Sequence, residues 1–126
     1  MKTKEKILNA ARTLFNLNGV ENVTTRNIAA SIGISQGNLH YHYPNKDEIV
    51  VFLFQEFKEK AKNLEKFTGD NNLGAHQIIQ STKVNFELMQ EYRFLFVDDH
   101  VLWRRNPSLK LDMITFFNTK KLDIKN

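Results

Sequence analysis

The sequence predicts an all-α protein, and three observations carry that prediction. Apolar residues recur at three- and four-residue intervals in the long segments. Residues suited to helix caps stand just ahead of those segments, with Gly or Pro where they stop. No run alternates apolar and polar residues with the two-residue period of a half-buried strand.

Thr3 is placed to cap a first helix, in which Ile7, Leu8, Ala11, Leu14 and Phe15 form one apolar face before Asn18-Gly19 stops it. A short second helix starts from a Thr24 cap and carries Ile28, Ala29 and Ile32 inward. It ends at Gly33, where a left-handed residue costs least. Ser35 caps a third, Ser35 to Tyr43, which is polar except for Leu39 and its two tyrosines, so it buries little and exposes much. After Pro44, Asn45 with Glu48 three residues on resembles a capping box. It opens a long fourth helix, Lys46 to about Lys66, with Ile49, Val50, Leu53 and Phe57 inward.

Thr68 to Leu73 reads as a loop and as the one linker. Beyond it, Leu73 to Gln90 is expected to be a helix burying Ile78, Ile79, Thr82, Phe86 and Met89, and Glu91 to Arg105 a single aromatic-rich helix. Asn106-Pro107 breaks the chain, because Pro is favoured at a helix start and disfavoured inside one. A last helix, Pro107 to Lys121, buries either Leu111, Ile114 and Phe117 or the offset set Leu109, Met113 and Phe116.

At 126 residues the chain can bury one real core, with little to spare for a second independent one. It is 41% hydrophobic, with ten Phe and two Pro, which is too apolar for a disordered tail. Its charges interrupt any membrane span, so no membrane association is expected. The absence of Cys excludes disulfides, thiolate zinc sites and Cys nucleophiles and agrees with a reducing compartment. No apolar stretch follows the basic start, so no signal peptide is expected and a cytoplasmic location is.

A net charge of +4 suits a polyanion partner without establishing one. Its distribution says more. From Asn22 to Asn45 there is no Asp or Glu, where the chain's average would put roughly 2.7. A surface built there could approach phosphates without repulsion. Two short helices joined by a tight Gly turn, the second polar, are also the arrangement that sets a recognition helix in a major groove. Ala29, Gly33, Ile34 and Leu39 fit it: a small residue where the helices touch, Gly in the turn, and two apolar anchors. A plain three-helix bundle can show the same spacing.

The letters themselves go further. Ile7-Leu8-Asn9-Ala10-Ala11, Leu14-Phe15, Gly19, Thr24-Thr25-Arg26-Asn27-Ile28-Ala29, Gly33-Ile34-Ser35, Gly37-Asn38-Leu39, Tyr41-His42-Tyr43 and Asn45-Lys46-Asp47-Glu48-Ile49 occur in order. Together they make the run from Lys4 to Phe54 resemble the DNA-binding domain of the tetracycline-repressor (TetR) family. Asn85-Phe86-Glu87-Leu88, Tyr92-Arg93-Phe94 and Arg104-Arg105-Asn106-Pro107 look like one branch of its regulatory domains.

The resemblance implies a helix-turn-helix DNA-binding domain in residues 1–46 and a helical regulatory domain in 47–126, short for the family. It also implies that Thr25, Tyr41, His42 and Lys46 touch phosphates while Arg26, Gln36, Gly37, Asn38 and His40 face base edges. The chemistry is sensible. Arg26 can bind guanine bidentately, and Gln36 or Asn38 adenine, for about 1–3 kcal/mol of discrimination each. Lys46 lies at a helix start, where backbone N–H groups favour an anion and contacts set register, not sequence. The family more often has Tyr at the position of His40 and a basic residue at that of Pro44, which leaves open whether His40 donates to guanine.

The same resemblance makes the aromatic segment part core and part wall of an effector pocket, with Phe86, Met89, Phe94, Val97, Val101 and Trp103 as its candidates. Read without it, such a segment is core. His40 and His42 form an H-x-H, but helical residues two apart point in different directions and share one ion poorly. His76 and Asp98-Asp99-His100 read as solvated or hydrogen-bonded groups, so no metal and no cofactor is expected. Arg104-Arg105 reads as a charge pair complementing a helix C-terminus, and Lys58, Lys60 and Lys62, alternating with Glu56, Glu59 and Glu65, as an exposed face. No phosphate loop or hydrolase-type serine setting stands out, so an enzyme is not expected.

The sequence therefore leads to a sequence-specific repressor. It is expected to bind double-stranded DNA at a palindromic operator as a homodimer and to be released by a small-molecule effector, with the fourth helix carrying the change. The competing expectation is a truncated interaction protein that pairs with a full-length regulator. A small enzyme or carrier using the aromatic pocket comes third.

Overall fold

The computed structural model describes residues 1–68 and 74–125, with side chains up to Leu64 and from Gly74 to Asn118. Its regular elements are helical throughout: α1 (Thr3–Asn18), a 3-10 turn (Val20–Asn22), α2 (Thr25–Ser31), α3 (Gln36–His42), α4 (Lys46–Thr68), α5 (Ala75–Glu91), α6 (Phe94–Val97), α7 (Asp99–Arg105) and α8 (Pro107–Lys125). Residues 69–73, most of the expected linker, lie outside the described residues.

The first half forms as its caps and apolar spacing direct. Ile7, Leu8, Ala11 and Phe15 bury one face of α1. Its start differs from expectation: Lys2 is the cap, without a side-chain bond, and Thr3 is already helical. Thr24 and Asn27 make a reciprocal capping box on α2, and the Ser35 hydroxyl accepts from the Asn38 amide to open α3. Gly33, at φ +71°, takes the left-handed turn between α2 and α3. Asn45 Oδ1 accepts from the Glu48 amide at 2.9 Å and starts α4.

α4 joins the two halves. Ile49, Val50, Leu53, Phe54 and Phe57 are all buried, and one core cluster runs without interruption from Ile7 on α1 to Met113 on α8. Phe57 is its aromatic centre, with ring centroids 5.6–6.4 Å from Phe54, Tyr92, Phe96, Phe116 and Phe117.

Two expectations for the second half are corrected. Glu91 to Arg105 is two short helices and not one, because the chain turns at Tyr92-Arg93 and again at Asp98. These breaks let Phe94 and Leu95 point into the core, and the Asp98 carboxylate accepts the Val20 amide at 3.0 Å. The face of α5 expected to be inward is outward: Ile78, Ile79, Thr82, Phe86 and Met89 are exposed, and only Leu88 is buried. Periodicity identifies an apolar face but not what covers it, and no described helix covers this one. On α8 the offset set is the inward one, with Leu109 and Met113 buried and Phe116 packed on the core, while Leu111 is exposed. Among the described residues, no helix is long and apolar enough to cross a membrane.

Candidate nucleic-acid interface

The third helix is held by two side chains. Leu39 and Tyr43, four positions apart, are buried, and everything between and before them on α3 is half-buried or exposed. Gln36, Gly37, Asn38, His40 and Tyr41 face solvent, with Tyr41 84% exposed. Arg26, on the neighbouring α2, is exposed as well. The positions expected to meet base edges are therefore all exposed, on two adjacent helices. A seven-residue helix with so little buried surface is an unfavourable investment of order unless its exposed face has a use.

The expected phosphate-contacting residues are less uniform. Thr25 is half-buried, and its hydroxyl accepts from Gln36 Nε2 at 3.2 Å. The His42 ring meets the Tyr41 ring edge-on at 5.1 Å, so the two histidines of the H-x-H have separate surroundings. Lys46 is turned inward: its ammonium donates to the carbonyls of Val20 at 2.8 Å and Val23 at 2.9 Å. It closes the 3-10 turn against the start of α4. Burial is the main cause lowering its pKa, with Arg105 adding to the effect and Asp47 and Glu21 opposing it. Two of its three N–H groups are thus committed inside the protein, and one remains for an outside anion.

The electrostatics around this face are set partly from the other end of the chain. Glu21 and Asp47 flank the acid-free window, and each meets an arginine of α7: Arg104 lies 3.5 Å from Glu21, and Arg105 donates to Asp47 at 3.0 Å. Arg104-Arg105 thus does more than complement a helix dipole. It pairs with the two carboxylates that flank the acid-free window in sequence. Sequence reasoning missed this, and also the Asp98 bond to Val20, because the partners lie 58 to 83 positions apart.

The six residues expected around an effector pocket divide. Phe94 and Val101 are buried, Phe94 against Phe15 with centroids 5.3 Å apart, and Trp103 is half-buried. Phe86, Met89 and Val97 are exposed. An open groove of about 430 Å³ between α4 and α8 is lined instead by Val51 and by residues of the α8 start, among them Asn106, Ser108, Leu109, Leu111 and Asp112. Asp98, Asp99 and His100 do not converge on an ion site, and no group of three metal-ligating side chains occurs among the described residues.

Comparison with known proteins agrees with this architecture. Residues 7–51 match the family described as bacterial regulatory proteins, tetR family, and residues 56–126 match the one described as bacterial transcriptional repressor. A TetR-family transcriptional regulator from Marinobacter aquaeolei VT8 superposes with a TM-score of 0.83 at 34% identity, over 94% of this chain and 59% of that one. The biofilm operon icaADBC negative regulator IcaR of Staphylococcus epidermidis is 31% identical over 93 residues, 74% of this chain and 43% of IcaR. The regulator UidR of Escherichia coli K12 is 34% identical over 59 residues, 47% of this chain and 30% of UidR. The chain thus spans less than half the length of these two curated relatives. The helix-turn-helix geometry, the helices of the second half and these matches together establish that the chain belongs to the TetR family of bacterial transcription regulators.

Proposed function

We propose that this chain is a sequence-specific DNA-binding repressor, with residues 1–46 as the reading domain and 47–126 as the regulatory domain. The observation that carries the reading is the exposed polar face of α3 beside Arg26. It contains no carboxylate of its own, and its two flanking acids are paired with arginines. Arg26, Gln36, Gly37 and Asn38 meet base edges, with His40 beside them on the same helix as Gln36. The backbone N–H of Thr25, the side chains of Tyr41 and His42 and the remaining N–H of Lys46 meet phosphates.

Two copies bind a palindromic operator as a homodimer in the cytoplasm, and a small molecule releases them. The effector region includes the exposed Phe86, Met89 and Val97 and the half-buried Trp103, together with the buried Phe94 and Val101. Its exposed apolar area supports this assignment. Release follows if the ligand re-angles α4, which starts beside Val20 and Val23 and carries Ile49, Val50, Leu53, Phe54 and Phe57 into the shared core.

Selection of binding sites from random DNA tests the proposal, repeated with Arg26→Ala and Tyr41→Phe. The first should relax one base position and the second should weaken all sites evenly. Absence of any enriched sequence with the folded chain would sink it. The exposed apolar face of α5 favours a second reading, in which the chain pairs with a longer regulator and does not act alone. Steeply salt-dependent binding to specific DNA by this chain alone decides against that alternative.

A further inference from the structure

His40, Thr25, Gln36 and Pro44 form one directed chain of hydrogen bonds across the exposed face. His40 Nδ1 lies 3.0 Å from the Pro44 carbonyl oxygen. A carbonyl only accepts, so Nδ1 carries the proton, and in the neutral ring Nε2 is left as an acceptor. Nε2 lies 3.4 Å from Thr25 Oγ1, so the threonine hydroxyl proton points at it. With its proton committed, Thr25 Oγ1 can only accept from Gln36, which sits 3.2 Å away and turns Nε2 toward it. A flipped amide would set the Gln36 oxygen against a hydroxyl oxygen with no proton to give.

We infer that His40 is a positioning residue that fixes, through Thr25, which way the Gln36 amide presents itself to a base. This rests on the DNA-reading function proposed above. Held in this sense, Gln36 keeps its second N–H and its carbonyl oxygen side by side and outward, the donor–acceptor pair that matches N7 and N6 of adenine. His40 itself offers no N–H to a guanine, because its only proton is used on Pro44. The position of His40 therefore acts on specificity one residue removed, at the base under Gln36.

The test combines site selection from random DNA at pH 8 with the tautomer of His40 read from imidazole ¹⁵N shifts in the free chain. All four residues are half-buried or exposed, so the variants should keep the helical circular dichroism of the wild type. Gln36→Ala identifies the adenine position. His40→Ala and Thr25→Val should each relax that same position, losing from about 5-fold to above 100-fold preference, and His40→Ala should add nothing on top of Gln36→Ala. His40→Gln places an acceptor near the Nε2 position and should restore the preference. His40→Asn, too short to reach Thr25, should not.

A structural defect alone would weaken all positions and would not be rescued in this residue-specific way. Relaxation by His40→Ala at a different base position would show that His40 reads a base itself and would overturn the inference. So would a proton on Nε2 in place of Nδ1. If the tautomer is as stated but the wild-type chain enriches no sequence, the DNA-reading function fails, and with it the specificity role of His40; the relay itself would stand.

Discussion

The ammonium of Lys46 and the carbonyl of Val20 are 2.8 Å apart, with the Val23 carbonyl at 2.9 Å on the same ammonium. One lysine thus ties the first residue of α4 to the first residue of the 3-10 turn that precedes α2 and to the residue that follows that turn. Lys46→Met keeps the stem and removes the donor, leaving the part-buried Val23 carbonyl unpaired and the Val20 carbonyl with only the Val23 amide at 3.3 Å. The expected cost is about 2 kcal/mol of unfolding free energy, read from urea denaturation. An unchanged denaturation midpoint would show that the two bonds are exchanged for water without loss.

Gly33 tests the turn itself. A Cβ there meets nothing within 4 Å, so Gly33→Ala carries no clash and only the strain of φ +71°. The expected loss is about 1–2 kcal/mol, seen as a lower Tm, while apolar contacts stay intact. A neutral result would mean that the turn relaxes out of the left-handed region.

Asp98 provides the reverse connection, from the second half to the first. Asp98→Ala leaves the Val20 amide without its 3.0 Å acceptor and should cost about 1–2 kcal/mol. If the α6–α7 corner transmits effector binding to the reading face, the same substitution should also reduce the response of DNA affinity to effector. DNA binding by fluorescence anisotropy, with and without ligand, measures that response.

Tyr92 gives a pH signature. It is fully buried, its hydroxyl donates to Glu56 at 3.0 Å, and burial is the main cause raising its pKa above the usual 10.0. A phenol whose folded pKa is raised binds its proton more tightly when folded. Its contribution is therefore complete below pH 10 and is lost as pH rises through the folded value. Tyr92→Phe should flatten the decline of stability above pH 10, measured by urea denaturation between pH 8 and 11. An identical slope in both proteins would mean that the Tyr92 hydroxyl binds its proton equally tightly in the folded and unfolded chain.

The exposed face of α5 yields an association prediction. Ile79→Ser and Phe86→Ser remove apolar surface that is more than half exposed, so each should change stability of the isolated chain by no more than about 0.5 kcal/mol. Light scattering should show less self-association at high concentration. Equal association by wild type and variants would assign pairing of copies to another surface.

Much of the fold was legible locally because its determinants are local. The Thr24–Asn27 box, the Ser35 and Asn45 caps, Gly33 and the spacing of Ile7, Leu8, Ala11 and Phe15 act within a few residues along the chain. The open face of α3 could be anticipated for the same reason, since Leu39 and Tyr43 are its only substantial anchors. The face of α5 could not, because an apolar stripe specifies burial only when a partner exists, and Ile78, Ile79 and Phe86 have none among the described residues.

By itself the sequence determined helices, caps, the left-handed turn and a polar, acid-free segment, all consequences of backbone preference and side-chain periodicity. Only the tertiary structure decided what those groups spend their hydrogen bonds on. Lys46 turns inward to two carbonyls, His40 is tied at both ring nitrogens, and Glu21 and Asp47 are paired with arginines from α7. The physical reason is that a side chain's polarity is a property of its residue type, but the atom it satisfies is a property of where the chain returns.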